Sequence, residues 1–438
     1  MAVKNTVKAE PTKDFFIQML TKDIKLERAI IDLIDNSIDG AMSISKKGNF
    51  KDLCVRINID KNQFVIKDNC GGFSLAVAKD YAFMFGRPSD SKNEIKNSVG
   101  RFGVGMKRAL FKIGNKFEVE SKCKKDHFQV DVDVNNWSHT NSGNANNWSF
   151  DFNLIKKETN DLGNKDGVFI KVESLNEDVA EEFSKDIFIA GLKDEIERTL
   201  SFAINKGLKI YLNNIELNKS NLGLLENKNL KPICLSFSLK NVSVKVYAGI
   251  GKPDMDAAGW YIYCNDRLVL EKDRTNLTGW NGKKFGESNV QKFHNIYAMF
   301  RGIVFFSAED SKLLPMTTTK TGIDSNAAVY KAAKGEMIKA MSQVITFLKT
   351  FDSDVQREEI ISLSTETDVT DIQSKTYQNK FLYPSLQKMG DDEQYTSVTF
   401  KAKKDNVNKA KTFFNVTKNP EVGHKVFEYF LKSESENL

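Results

Sequence analysis

Three aspartates and an asparagine share one face of a predicted helix near the N-terminus. Apolar residues recur at helical spacing over residues 26–42 and form a single stripe. Asp32, Asp35, Asn36 and Asp39 lie on the opposite arc, within about 100° of one another. A solvated acidic face explains the acids but not an asparagine in mid-helix, because asparagine is a poor helix former. The alternative is a magnesium site, in which Asn36 offers a carbonyl oxygen and an acid one turn earlier orients a water.

A second candidate lies where an apolar strand ends. The predicted strand at 63–67 runs into Asp68, and Gly71 and Gly72 follow shortly after. A carboxylate at a strand end can accept a hydrogen bond from the exocyclic amine of adenine, and glycine lets the backbone approach a flat base closely. An ordinary hairpin turn uses the same residue types, so this motif alone leaves both interpretations open.

A glycine-rich turn precedes a predicted helix at 106–113. It consists of Gly100, Arg101, Phe102, Gly103, Val104, Gly105, Met106 and Lys107. The N–H groups and the dipole at a helix N-terminus favour an anion, so the turn is predicted to hold phosphate. It is neither a Walker A loop nor the GxGxxG of dinucleotide folds. The polar segment 86–99 before it is expected to be a mobile loop that closes over a nucleotide as a lid.

These three motifs, in this order, resemble the three motifs of the Bergerat-fold (GHKL) ATPases, the family of gyrase, chaperones, histidine kinases and MutL. The segment 35–41, Asp-Asn-Ser-Ile-Asp-Gly-Ala, looks most like MORC and MutL proteins, and the GxxGxG at 100–105 most like the ninety-kilodalton heat-shock chaperones. The resemblance extends over residues 20–215. It implies that ATP binds with Mg²⁺, that Asn36 holds the magnesium, that Asp68 with Gly72 reads adenine, and that the glycine-rich turn and Lys107 wrap the phosphates.

A hydroxyl-rich loop at 313–321 surrounds Lys320. A loop lysine is ordinarily exposed to solvent. In MutL- and MORC-like ATPases, however, a lysine from the following transducer domain reaches the γ-phosphate, and Lys320 stands at the matching place, about one domain downstream. The resemblance therefore implies that Lys320 is catalytic and couples ATP occupancy to the angle between two domains.

Two positions depart from the family pattern. The usual general base is a glutamate four residues before the metal-binding asparagine, and Asp32 occupies that place with a side chain one methylene shorter. Asp32 is therefore the predicted base, and hydrolysis is expected to be slow. The family also uses a Gly-Thr on a late strand to help bind adenine, whereas this chain has Gly167-Val168 and lacks that hydroxyl.

The elements that must position these residues predict an α+β fold of several domains. We expect an N-terminal arm at 1–22, a Bergerat-fold α/β sandwich ATPase domain at 23–228, a β-α-β transducer-like domain at 229–350, and a small C-terminal region at 351–438 that is partly linker. Within the ATPase domain, the Asn- and Ser-rich segment 135–147 is predicted to be a loop.

Composition narrows the class of protein. The chain has 438 residues, of which 40% are hydrophobic and 28% charged, and a net charge of +6, which is typical of a globular protein. Its five scattered cysteines include no CxxC pair, so any metal is expected to arrive with the nucleotide. We find no apolar run long enough for a membrane helix and no signal-peptide core, and expect a cytoplasmic protein without membrane contact.

The functional prediction is a slow ATPase that acts as an ATP-gated clamp and closes by forming a homodimer. Basic stretches at 122–125 and 401–411 are ordinarily solvated faces, but the stretch at 401–411 and the positive net charge favour nucleic acid as the clamped partner. Such a clamp fits prokaryotic defence or DNA maintenance. The alternative is a chaperone-like ATPase that acts on partner proteins. A histidine kinase is disfavoured, because no dimerisation helix carrying a histidine precedes Asn36.

Overall fold

The computed structural model describes residues 12–45, 48–86, 103–139, 148–157, 166–282, 284–285, 288–289, 292–351, 353–385 and 401–434. The chain forms two compact units, residues 1–386 and 387–438. The larger unit contains two lobes, each built on its own sheet.

The first lobe carries an eight-stranded sheet in the order β5-β4-β3-β6-β2-β1-β7-β8. Its strands are β1 (Cys54–Ile59), β2 (Gln63–Asp68), β3 (Gly114–Cys123), β4 (Asp126–Asp133), β5 (Phe152–Lys157), β6 (Gly167–Leu175), β7 (Lys209–Leu212) and β8 (Ile215–Glu216). Its helices are α1 (Lys13–Lys22), α2 (Leu26–Ile44), α3 (Leu75–Val77), α4 (Gly105–Ile113), α5 (Val134–His139), α6 (Glu177–Phe183), α7 (Asp186–Thr199) and α8 (Ser201–Asn205). Only β1 and β7 pair in parallel among the described strands of this sheet. Together with the helices, this sheet makes the α/β sandwich that the sequence predicts.

Alternation along β2 places Asp68 on the helix side of the sheet. Phe64 and Ile66 are buried in the core beside the apolar residues of α2. Successive side chains of a strand point to opposite faces, so Asp68, two residues after Ile66, faces the same helix layer. The end of β2 thereby presents a carboxylate to the polar side of α2.

Two segments of the first lobe differ from the sequence prediction. The loop predicted at 135–147 begins with helix α5, where Trp137 is buried and stacks with Phe85 and Phe111. The predicted N-terminal arm contains helix α1, whose Lys13 donates a 2.7 Å hydrogen bond to the main-chain oxygen of Trp137 and lies over its ring. Aromatic burial here outweighs the low helix propensity of asparagine.

The second lobe carries a five-stranded sheet in the order β10-β11-β16-β12-β13. The strands of this sheet are β10 (Ile233–Leu239), β11 (Val242–Ile250), β12 (Gly259–Cys264), β13 (Arg267–Asp273) and β16 (Phe300–Ser307). Two further pairs of strands are β9 (Gly223–Glu226) with β17 (Thr365–Asp368) and β14 (Lys284–Phe285) with β15 (Ser288–Asn289). The helices of the lobe are α9 (Ala328–Leu348) and α10 (Asp354–Ser362). The central strand β16 pairs in parallel with β12. The sequence analysis did not predict β16, because seven of its eight residues are buried and it lacks the alternation of a half-buried strand.

A buried glutamate ties the segment after α10 back onto the second lobe. Strand β17 pairs with β9, and Glu226 of β9 accepts hydrogen bonds from Lys375, Thr367 and, at 3.2 Å, Lys231. Burial alone would raise the pKa of Glu226, but these donors outweigh it and lower that pKa to about 2. Residues 365–382 therefore belong to the second lobe by their contacts.

The lobes meet where the β12–β13 hairpin reaches α7 and α8. Lys206 pairs with Asp266 at 2.8 Å, and the rings of Phe202 and Tyr263 pack edge to face. This contact brings Arg267, the first residue of β13, next to α2.

The C-terminal unit forms helices α11 (Lys404–Phe414) and α12 (Asn419–Glu434). Phe413 and Phe414 contact Tyr429 across this helical hairpin. Within the part of the chain that the structure describes, no helix is both long and apolar enough to span a bilayer.

Candidate functional site

A cleft opens between α2, the end of β2, the start of α4 and the loop at 316–323. Nine of the predicted site residues line it, namely Asp32, Asn36, Asp68, Gly72, Gly103, Val104, Gly105, Lys107 and Lys320. The other three, Gly100, Arg101 and Phe102, lie outside the described residues, as does the predicted lid beyond residue 86. One end of the cleft is built around Asp68 and the other around a group of charged side chains.

The Asp68 carboxylate is fixed by three hydrogen bonds. Its Oδ1 accepts from the backbone N–H groups of Cys70 at 2.8 Å and Val168 at 3.2 Å, and its Oδ2 accepts from the Ser37 hydroxyl at 2.6 Å. Burial raises the pKa of Asp68, although these donors oppose the shift. A carboxylate has about four acceptor positions, so one remains for a donor in the cleft.

Two glycines allow three backbone segments to converge beside this carboxylate. Gly72 has φ +58°, and a Cβ built there would lie 2.2 Å from the main-chain oxygen of Lys122. A Cβ on Gly167 would lie 2.1 Å from the main-chain oxygen of Asp68. Both positions therefore require glycine, and Gly72 serves close approach to a neighbouring strand as well as lining the cleft.

Helix α4 begins at the opposite end of the cleft. Gly103 has φ +65°, which turns the chain into the helix at Gly105. Gly103, Val104, Gly105 and Met106 all line the cleft. The first N–H groups of an α-helix have no partner within the helix, so this end of the cleft favours an anion.

Lys107 lies in the first turn of α4 and is buried, with 2% of its surface exposed. Its Nζ donates to the main-chain oxygens of Ala82, at 2.8 Å, and Gly103. Burial lowers the pKa of Lys107 to about 7, and no carboxylate is among the causes of the shift. The ammonium is therefore only weakly favoured near neutral pH in the cleft as it stands.

Asp32 is buried between two cations. Its Oδ2 accepts from an Arg108 terminal nitrogen at 2.5 Å, and its Oδ1 lies 3.1 Å from Lys320 Nζ. Oδ1 accepts no hydrogen bond from the described residues. The acids of α2 are thus not a solvated face, since Asp32 and Asp35 are each 1% exposed.

Asp35 of the first lobe is bonded to two cations of the second lobe. Arg267 Nε donates to both of its oxygens, at 2.9 and 2.8 Å, and Lys320 Nζ donates to Oδ2 at 2.8 Å. Burial alone would raise the pKa of Asp35, but the charges of Arg267 and Lys320 outweigh it and hold that pKa below its usual value. Burial would likewise lower the pKa of Lys320, but Asp32 and Asp35 raise it. Asp35 and Lys320 stay charged because each is paired with groups of opposite charge.

The same face carries Asn36, which is exposed, and Asp39, which is buried, and both line the cleft. Asp32 and Asp35, one turn and one residue away, are occupied by cations. Among the described residues, no group of three or more metal-binding side chains exists. The exposed amide oxygen of Asn36 is a type of ligand that Mg²⁺ accepts.

Three residues of the site escaped the sequence analysis. Ser37 supplies a hydroxyl beside Asp68, although the expected threonine is replaced by Val168. Its position after Asn36 on the buried side of a helix was a usable signal, as was Arg108 on the helix after the glycine-rich turn. Arg267 lies 232 residues from Asp35 along the chain, and nothing in the local sequence indicates their contact.

Comparison with known proteins gives a family match within the first lobe. Residues 24–164 match the family described as histidine kinase-, DNA gyrase B-, and HSP90-like ATPase. The matched segment contains α2, Asp68 and α4. No curated protein matches the chain.

Replacing Lys107 with methionine tests the buried ammonium. An unfolded lysine titrates near about 10.4, and the folded pKa is about 7. Between these values the unfolded chain binds more protons than the folded chain, so wild-type stability rises with pH. We therefore expect the melting temperature of Lys107→Met, relative to wild type, to be highest below about pH 7 and to fall as the pH rises towards about 10.

The control is Lys112→Met, which removes one positive charge from a half-buried position of the same helix. Melting curves for the three proteins across this pH range give the comparison. A melting-temperature difference for Lys107→Met that does not change with pH would show that Lys107 is not buried as an uncompensated ammonium.

Proposed function

We propose that this chain, whose residues 24–164 belong to the GHKL ATPase family, binds ATP in the cleft between α2 and α4 and hydrolyses it slowly. The observation that carries the proposal is the pairing of two ends in one cleft. One end has a carboxylate fixed by three hydrogen bonds with one acceptor position left, and the other has a helix N-terminus beside Lys107, Arg108 and Lys320.

The adenine end is Asp68. The described residues leave one acceptor position of this carboxylate open, and the exocyclic amine of adenine is a donor that fits it. Ser37 holds Oδ2 at 2.6 Å and so orients the carboxylate. Ser37 also places a hydroxyl where the family's threonine is missing. The arrangement favours adenine over a base that presents a carbonyl at the same position.

The phosphate end combines the N-terminus of α4 with Lys107 and Lys320. Phosphate oxygens are stabilised by backbone N–H groups and the helix dipole, and more strongly by positive side chains. Mg²⁺, which would be held by the carbonyl oxygen of Asn36, supplies charge neutralisation on the triphosphate when bound.

The proposed base is Asp32. Its Oδ1 is buried, accepts no hydrogen bond from the described residues and lies 3.1 Å from Lys320 Nζ, while Arg108 fixes the other oxygen at 2.5 Å. Both oxygens of this carboxylate face cations, so Lys320 must turn away before Oδ1 can hold a water. Together with its shorter reach than glutamate, this supports a slow reaction and a long-lived ATP-bound state.

Lys320 supports the clamp. It belongs to the second lobe but its ammonium lies in the cleft of the first, between Asp32 and Asp35. The negative charge of a terminal phosphate would compete with Asp32 and Asp35 for the Lys320 ammonium. Movement of the ammonium to the phosphate would remove two of the ion pairs that join the lobes. We extend the proposal to a MORC- or MutL-like clamp that dimerises on ATP binding.

Nucleic acid is the proposed client of this clamp. Helix α11 carries exposed Lys404 and Lys409, and exposed Lys401 and Lys403 lie just before it. Such a row of lysines suits phosphate contacts that do not read sequence. A role in prokaryotic defence or DNA maintenance is consistent with that client, and the alternative is a chaperone-like ATPase.

Removing the Asp68 carboxylate should abolish tight ATP binding. A hydrogen bond to a charged group contributes about 1.5–3 kcal/mol, so Asp68→Ala should weaken affinity roughly ten- to a hundred-fold by calorimetry. Ser37→Ala keeps both backbone bonds to Asp68 and should weaken affinity by a smaller factor. Asp131→Ala, at an exposed position of β4, is the control. Wild-type affinity in folded Asp68→Ala would remove the nucleotide site from this end of the cleft.

Asp32→Asn keeps the size of the side chain and removes its basicity. It should bind ATP normally and slow single-turnover hydrolysis by about a hundred- to ten-thousand-fold. Asp32→Glu restores the family's usual reach and should speed the reaction. The rival base is Asp35. A normal rate in Asp32→Asn combined with a collapsed rate in Asp35→Asn would assign the role to Asp35 instead.

Neutralising Lys403, Lys404, Lys409 and Lys411 together as glutamines should weaken binding to duplex DNA. Each lost phosphate contact should reduce the dependence of log affinity on log salt by about one unit. The matched control changes four exposed lysines of the first lobe, Lys124, Lys125, Lys156 and Lys157. Unchanged affinity at low salt in the first variant would move the nucleic-acid surface elsewhere or favour protein clients.

A further inference from the structure

Arg267 is bonded at once to the first lobe and to the loop that carries Lys320. Its side chain is 2% exposed. Nε donates to both oxygens of Asp35 at 2.9 and 2.8 Å, and Nη1 donates to the main-chain oxygen of Lys320 at 3.2 Å. Arg267 therefore contacts the main chain of Lys320 directly. It is also linked to the Lys320 ammonium, because both groups bind the Asp35 carboxylate.

The backbone of Lys320 needs such support. Its φ is +55°, in the left-handed region that residues with a Cβ rarely adopt. The turn is closed by the N–H of Lys320, which donates to the Thr317 oxygen at 3.0 Å, and by the N–H of Thr317, which donates to the Gly322 oxygen at 3.0 Å. The hydrogen bond from Arg267 fixes the carbonyl that follows the strained φ.

Five charged side chains are buried together where α2 meets the Lys320 loop, and their net charge explains why two cations share Asp35. Asp32 and Asp35 are buried with Arg108, Arg267 and Lys320, so the five groups carry one uncompensated positive charge. Because Arg267 and Arg108 each neutralise one aspartate, Lys320 can move to an anion without leaving a buried carboxylate unpaired. The second terminal nitrogen of Arg267 has no hydrogen-bond partner among the described residues.

We propose that Arg267, acting with Asp35, is the positioning residue for Lys320. It holds the left-handed turn that presents the lysine to the cleft, and it keeps Asp35 neutralised when the ammonium turns to the terminal phosphate. The catalytic part of this inference rests on the proposed ATPase function, and its structural part does not. It places a determinant of the reaction in the second lobe, outside residues 24–164.

A purely structural arginine would affect stability without acting through Lys320, and the chain offers one for comparison. Arg301 of β16 is 4% exposed and donates to the main-chain oxygens of Ala298, Phe300 and Lys252 at 2.9–3.0 Å. It does not line the cleft. Arg301→Met thus removes a buried arginine of the same sheet and leaves the Lys320 loop alone.

The first measurement is a double-mutant cycle in ATP hydrolysis. Arg267→Met should lower kcat about ten- to a hundred-fold, because small misplacements of a catalytic group have effects of that size, while KM for ATP changes little. In a Lys320→Ala background the same substitution should cause no further loss. Arg267→Lys, which keeps the charge but not the forked donor, should recover part of the rate.

The second measurement needs no nucleotide. Reductive methylation followed by mass spectrometry reports how accessible each lysine is. Lys320 is 5% exposed and should be protected in the wild type and in Arg301→Met, but should become modified in Arg267→Met. Protection of Lys107 in the same samples shows that the first lobe stays folded.

The two readouts separate the inference from the proposed function. If the wild type neither binds nor hydrolyses ATP but Lys320 becomes modified only in Arg267→Met, the ATPase proposal fails and the positioning of Lys320 stands. Additive losses of kcat in the double mutant, or a Lys320 that stays protected in folded Arg267→Met, would overturn the positioning role.

Discussion

Two aspartates buried on one helix require cationic partners from both lobes, and the arrangement of the cleft depends on that pairing. Asp32 and Asp35 lie on α2 with 1% exposure each, and a buried carboxylate is tolerated only when it is paired and hydrogen-bonded. The first lobe supplies one partner, Arg108. The second lobe supplies the others, Arg267 and Lys320. Removing the second lobe would therefore leave Asp35 uncompensated, and the helix that forms the cleft depends on both lobes.

The need to pair Asp32 and Asp35 also links anion binding in the cleft to the contact between the two lobes. The cation that completes the Asp32–Asp35 pair lies in the cleft itself, so an anion that enters the cleft competes with part of the contact between lobes. If Arg267 stays on Asp35, as we propose, that competition would weaken the contact without breaking it. Binding of an anion in the cleft would therefore change the Lys320 ion pairs that join the two lobes. The proposed nucleotide-gated clamp needs such a link between the cleft and the contact between lobes.

Sequence reasoning recovered the parts of the site that local patterns encode. The periodicity of 26–42 predicted α2, the alternation of 63–67 predicted β2 with Asp68 at its end, and the glycine-rich turn predicted the start of α4. It did not recover Arg267, because its meaning comes from a contact across 232 residues. Strand β16 was also missed, since burial on both faces removes the alternation that marks a strand.

The most direct test of the account is a crystal structure of the chain with Mg²⁺ and a non-hydrolysable ATP analogue. We expect the adenine amine to donate a hydrogen bond to Asp68 and Lys320 Nζ to lie within about 3 Å of a terminal phosphate oxygen. Arg267 should keep its hydrogen bonds to Asp35. An analogue bound in the cleft with Lys320 unmoved between Asp32 and Asp35, or with its base away from Asp68, would contradict it.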